Sequence, residues 1–290
     1  MNYFRKKRFW FLLLLLFYLA ALQMEWAKNR YDALNLADTV ESITQKSAHW
    51  SSKSFDTQTM TYLRVGDNPN LPILLMVHGS PGSLLAYEDY YTDTDLLEQF
   101  TIIAIDRLGF GFADFGKAEP HLSNHAKLIA AILEDYPNQK KILVGHSMGG
   151  PVIAKTAMEY PHLVDGLVLI APSISPLLEP SNTWRKILNF LPIRICTPDA
   201  LRICNQEIIP LKNELELMLD DWAGINIPVT VIQGTEDSLV PEGNADFAKS
   251  VLTNSPHVDI QKINGGNHFI LWSELSFIKK AFLKILEQLD

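Results

Sequence analysis

"KKILVGHSMGGP", residues 140–151, runs an apolar stretch into a small-residue turn built around one serine. Ile142, Leu143 and Val144 do not alternate with polar residues, the pattern of a strand buried on both faces. "PVIAKTAMEY" (151–160) follows with a helical composition. The letters Gly145-His146-Ser147-Met148-Gly149 therefore place G-x-S-x-G between a strand and a helix. In that context flanking glycines permit close backbone approach and leave a serine hydroxyl exposed. The helix start also offers unpaired N–H groups and the positive end of its dipole to a developing anion. A plain tight turn would use the same small residues, so the rest of the chain has to supply a base, an acid and a second anion donor.

Outward from this stretch, apolar runs recur at 57–65 ("TQTMTYLRV"), 72–79 ("PILLMVHG"), 100–106 ("FTIIAID"), 164–172 ("VDGLVLIAP"), 227–234 ("IPVTVIQG") and 257–263 ("HVDIQKI"). With 140–146 they make seven candidate strands. Helical patterns fall at 83–98, 122–136, 150–160, 243–252 and 273–288. Such alternation predicts an α/β fold with a mostly parallel sheet and right-handed crossovers. The alternation breaks at 172–224, which reads as an insertion over the sheet.

A serine hydroxyl needs a positioned base, and the base needs an orienting acid. His268 lies in a glycine-rich loop ("NGGNHFILW", 264–272) just after the last candidate strand, on the same sheet edge as the serine. His146, the variable position of the turn, is expected to point elsewhere. His49, His121, His125, His162 and His257 fall in helical or linker contexts and read as surface or capping residues. "VIQGTEDSLVP" (231–241) offers Asp237 as the acid, with Glu236 as its alternative and a helix-capping role open to Asp237. Two backbone N–H groups are needed for the anion: one from Met148, and one from Ser80 in "VHGSPGS" (77–83), the turn after an early strand.

The order nucleophile, acid, histidine, together with His78–Gly82 and "DRLGFG" (106–111), resembles the α/β-hydrolase superfamily over roughly residues 55–288. The resemblance implies an eight-stranded, mostly parallel sheet with a small helical cap, so one strand near the start of the catalytic domain is missing from the seven above. It implies a Ser147, Asp237, His268 triad and an oxyanion hole at Ser80 and Met148. His78, Gly79, Gly82, Gly145 and Gly149 support the motifs. The catalytic domain is expected at 55–171 and 225–290, with the cap at 172–224. The H-G-x-P-G turn is similar to that of proline iminopeptidases, epoxide hydrolases and haloalkane dehalogenases. The last two use aspartate where this chain has Ser147, and the insertion is shorter than an iminopeptidase cap. The G-H-S-M-G-G turn looks like that of carboxylesterases, monoacylglycerol lipases and C–C bond hydrolases. A serine esterase acting on an apolar or lipid-like small molecule, with no metal or organic cofactor, is the implied function. An aminopeptidase, a C–C hydrolase or a cofactor-free peroxidase on the same triad is an alternative. A catalytically inactive, membrane-tethered binding protein is another.

Composition bounds the partners. Of 290 residues, 47% are hydrophobic and 20% charged, which suits a packed globular core. The formal net charge of −8 sets +4 from Arg5–Arg8 against −12 for the rest, a balance that argues against nucleic acid. Residues 1–27 read as a membrane-targeting segment. The 14 apolar residues Phe9–Leu22 would span only about 21 Å of a core of about 30 Å. No small-residue pair suits cleavage, and Tyr18, Met24 and Trp26 extend the segment, so an uncleaved signal-anchor is expected, with a cleaved signal as its alternative. The positive-inside rule then sends the body to the non-cytoplasmic side. Residues 28–54 read as a linker or stalk helix. Cys196 and Cys204 are either two independent thiols or a local disulfide.

Overall fold

The computed structural model describes Leu15 and residues 35–180, 185–186 and 197–289. The expected membrane segment at 1–27, Leu15 apart, and Cys196 lie outside the described residues. Among the described residues no helix is long and apolar enough to cross a membrane. Cys204 is a buried free thiol.

Eight strands form one sheet: β1 (Ala48–Phe55), β2 (Gln58–Val65), β3 (Ile73–Val77), β4 (Thr101–Asp106), β5 (Lys141–His146), β6 (Gly166–Ile170), β7 (Val229–Gly234) and β8 (Val258–Ile263). Their spatial order is β1-β2-β4-β3-β5-β6-β7-β8. β1 and β2 pair antiparallel, β2 meets β4 antiparallel, and every pairing from β4 to β8 is parallel. All seven candidate strands are present. The eighth is β1, and it begins inside the stretch expected to be a stalk. A helix is present in the stretch expected as a linker or stalk helix, at Leu36–Thr44 (α1), but its Leu36 and Val40 bury against the sheet and β1 follows at Ala48. β1 is an edge strand with an open face, so it needs few apolar residues, and its sequence ("AHWSSKSF") carries few.

The central strands β3 to β7 are buried along their whole length. Their side chains divide by alternation into two layers. Ile73, Leu75 and Val77 of β3 join one core with helices α2 (Leu122–Leu133), α3 (Gly149–Glu159) and α5 (Gly243–Val251). Leu74 and Met76 join the other, under α1 and the C-terminal helix α6 (Leu275–Leu286). Each fully buried Leu or Ile is worth roughly 2 kcal/mol, so these two layers fix the register firmly. The region expected as one helix at 83–98 is three short turns, Leu84–Tyr87, Glu88–Tyr91 and Thr94–Leu97.

Between β6 and β7 the chain carries a 19-residue helix, α4 (Asp199–Leu217), which contains Pro210. Leu211 and Leu215 of α4 reach the first core, and Glu207 is wholly buried. The loops leaving β3, β4, β5, β7 and β8 all emerge at the carboxyl ends of parallel strands, where α/β sheets gather their functional groups.

Candidate active site

The turn from β5 into α3 holds Ser147 at φ +54°, a left-handed conformation uncommon for a residue with a side chain. The surroundings fix it there. Ser147 N–H donates to the Ile170 carbonyl at 2.9 Å, and its own carbonyl accepts from Gly150 N–H at 3.0 Å and Ser173 N–H at 3.2 Å. The glycines are needed for close approach. A Cβ on Gly145 would sit 2.4 Å from the Gly149 carbonyl oxygen, and one on Gly149 would sit 2.1 Å from that of Val77.

Asp237 sits just after β7 with its carboxylate surrounded by donors. Oδ1 accepts from the N–H groups of Leu239 at 2.9 Å and Val240 at 2.8 Å. Oδ2 accepts from Gln233 Nε2 at 3.2 Å and from His268 Nδ1 at 2.8 Å. Burial pushes this carboxyl up, but the His268 hydrogen bond and the backbone N–H groups outweigh burial and hold it below the usual range. Glu236, the alternative acid, is exposed. His268 is buried in the loop after β8, and with Nδ1–H given to Asp237 its Nε2 is left as the basic nitrogen. His146 points away from the serine, as expected, yet it has a place in the site. Its Nε2–H donates to the His268 carbonyl at 3.1 Å, and its ring lies 4.9 Å from the His268 ring and 5.2 Å from Trp272.

Ser147 and His268 face one cavity of about 120 Å³, whose wall also includes Ser80 and Met148. No direct hydrogen bond joins Ser147 to His268 among the described residues. Neither Ser80 N–H nor Met148 N–H has an acceptor there. The expected site residues are thus gathered at one place, the serine and histidine on one cavity. His78, Gly79 and Gly82 stand behind the cavity: His78 Nδ1–H donates to the Gly79 carbonyl at 2.7 Å, and a Cβ on Gly82 would come within 2.7 Å of that nitrogen.

Three residues of this region escape sequence reasoning. Arg107, wholly buried, donates Nε–H to the His78 carbonyl at 3.0 Å and Nη2–H to the Gly79 carbonyl at 3.2 Å. Its guanidinium also makes a bidentate ion pair with Glu207, at 2.9 and 3.0 Å, and Ser80 Oγ donates to Glu207 at 2.9 Å. Burial raises the Glu207 carboxyl, with Arg107 and Ser80 pulling against it. His125, expected at the surface, is completely buried. Its Nε2–H donates to the Glu119 carbonyl at 2.9 Å, and Nδ1 has no hydrogen-bond partner among the described residues. Burial and the nearby Arg107 lower its pKa to about 4. The sequence does carry a signal: His125 falls with Leu122, Ala126, Ile129 and Leu133 on one helical stripe.

A family model for the alpha/beta hydrolase fold matches residues 72–194. The chain has the alpha/beta hydrolase fold. Within that fold it is 22% identical over 244 residues to an uncharacterized protein of Mycobacterium tuberculosis, covering 68% of this chain and 70% of the relative. It is 24% identical over 245 residues to a mitochondrial palmitoyl-protein thioesterase, ABHD10, of Homo sapiens, covering 76% and 78%. The crystal structure of carboxylesterase CesB from Bacillus subtilis is similar at a TM-score of 0.62 and 14% identity, covering 89% of this chain and 98% of that one.

Proposed function

We propose that this chain is a serine hydrolase that cleaves a carboxylic ester of an apolar, lipid-like substrate. The observation that carries the reading is the Asp237–His268 hydrogen bond at 2.8 Å, on the same cavity as a serine held at φ +54°. His268 Nε2 takes the proton of Ser147 Oγ as that oxygen bonds to the carbonyl carbon, and the carbonyl π pair moves onto oxygen. The N–H groups of Met148 and Ser80 receive the oxyanion, each worth about 3 kcal/mol to the transition state. Collapse expels the alcohol, which takes the proton back from His268. Water then repeats the sequence and frees the acid. Asp237 keeps His268 in the Nδ1–H tautomer and offsets its charge while it is protonated.

The choice of substrate rests on the apolar part of the cavity wall, where Met148, Ile208, Leu211, Leu239 and Val240 stand beside Ser147 and His268, with Glu179 and Arg185 also on the wall. Relatives named as a thioesterase and a carboxylesterase are consistent with acyl transfer. In this reading residues 172–224 act as the lid. Residues 1–27 tether the catalytic domain to a membrane, leaving it on the non-cytoplasmic side. A reporter fused after Asp290 and active only in the cytoplasm would rule out that placement.

The hydrolase reading is tested with p-nitrophenyl esters of increasing acyl length. The wild-type chain is expected to turn them over with a preference for medium or longer chains, and Ser147→Ala to lose about 10⁵-fold in kcat. Full activity in Ser147→Ala would refute it.

A further inference from the structure

The carboxylate of Glu207 is out of place by composition. It sits in α4 between Asn205 and Ile208, wholly buried, and is shared by two partners that belong to the turn after β3 and the segment after β4. Both of its oxygens take hydrogen bonds from Arg107, and Oε2 also takes one from Ser80 Oγ. Arg107 spends its other donors on the carbonyls of His78 and Gly79. Those two carbonyls immediately precede the Ser80 N–H.

Planarity makes this arrangement consequential. The Gly79 carbonyl and the Ser80 N–H belong to one trans peptide unit, so they point in opposite directions across a rigid plane. A carbonyl pinned by Arg107 at 3.2 Å and by His78 Nδ1–H at 2.7 Å therefore fixes where the N–H aims. Ser80 lines the cavity, and its N–H has no other acceptor among the described residues. The guanidinium can hold those carbonyls only while its fork is oriented; the Phe110 ring supports one face at 5.0 Å, and the bidentate contact with Glu207 fixes the direction of the fork.

We propose that Glu207 is a positioning residue for the oxyanion site: from α4, through Arg107 and Ser80 Oγ, it sets the direction of the Ser80 N–H. Transition-state stabilisation is thereby coupled to the seating of the insertion helix. This inference rests on the serine-hydrolase reading above, and it adds that the anion site is completed from outside the sheet.

The test compares the full-length wild type with Glu207→Gln and Glu207→Asp, using p-nitrophenyl butyrate as substrate and butylboronic acid as inhibitor. The boronic acid adds Ser147 Oγ at boron and presents a tetrahedral oxygen to the anion site, so it reports on that site without turnover. Glu207→Gln is expected to lose about 10- to 100-fold in kcat, with KM within twofold, and to bind the boronic acid more weakly by the same factor. Glu207→Asp, which keeps the charge but shortens the reach, is expected to fall between, with a loss of more than threefold. A purely structural role would lower the melting temperature while leaving kcat per folded molecule and boronic acid affinity unchanged. Folded variants with both values within threefold of wild type would overturn the proposal. Should Glu207→Gln fail to fold, Glu207→Asp decides alone by the same criterion. A folded wild type that neither hydrolyses the ester nor binds the boronic acid would instead remove the hydrolase reading, and this inference with it.

Discussion

The turn that carries Ser147 and the turn that carries Ser80 lie side by side at one sheet edge, and they are held by opposite means. Around Ser147 the chain is fixed by backbone pressed on backbone: Gly145 on Gly149, Gly149 on Val77, and Gly234 on Gly266 below the acid and histidine loops. Around Ser80 a local contact, His78 on the Gly79 carbonyl, is joined by side chains brought from afar, Arg107 from the segment after β4 and Glu207 from α4, 100 residues further along. The first arrangement tolerates no added atom. The second is sensitive to lost charge. The geometry at Ser147 thus depends on local sequence, and that at Ser80 on the tertiary fold.

Next to the loss in Ser147→Ala, the largest expected effect breaks the first half at its acid. Asp237→Asn leaves the packing in place but takes away the acceptor that fixes the His268 tautomer. Turnover should fall about 10³- to 10⁴-fold, far more than the modest drop in urea midpoint expected from losing a carboxylate held by four donors. On the second half, Arg107→Met strands the buried Glu207 carboxylate and should cost about 3–5 kcal/mol in urea unfolding. The paired Arg107→Met, Glu207→Leu change should recover most of that stability without recovering turnover. A double variant that regained both would show that the ion pair is not what holds the anion turn.

Gly149→Ala sharpens the contrast from the packing side. The new Cβ would meet the Val77 carbonyl at 2.1 Å, a backbone atom that cannot step aside, and a loss near the upper end of about 1–3 kcal/mol is expected. Gly224→Ala, with nothing within 4 Å of the added carbon, is the control and should lose no stability. The smallest effect is a pH response. His125 behind the anion turn and His146 beneath His268 both have pKa values lowered from 6.5 to about 4. Burial is the main cause for each. Above pH 6.5 neither affects stability. As the pH falls from 6.5 toward 4, the unfolded chain binds protons that the folded chain refuses, so stability declines. Each histidine should account for about 1 kcal/mol between pH 6.5 and 5.5. Replacing His125 by Leu should flatten the pH dependence of the urea unfolding free energy over that interval by this amount.

The same contrast explains what the sequence could reveal. Ser147, Met148, Gly145 and Gly149 are legible because their constraint spans five residues. Strands β3 to β7 are legible because burial on both faces leaves an unbroken apolar run. Asp237 and His268 are found by their position after the last two strands, although only the folded chain shows that Asp237, and not the exposed Glu236, meets His268. β1 was hidden because an edge strand with an open face needs little more than Ala48 and Trp50. Glu207 was hidden because an acidic residue in a helix looks solvated until its partner is known, and nothing local to either residue pairs it with Arg107. His125 was missed on a similar assumption, despite sitting on the apolar stripe of α2.

That Ser147 is the attacking group is tested most directly by labelling the folded wild-type chain with a fluorophosphonate and locating the adduct by peptide mass mapping. One adduct per chain, on Ser147, absent from Ser147→Ala and strongly slowed in Asp237→Asn, is expected. No adduct on the folded wild type, or an adduct on a different serine, would contradict it.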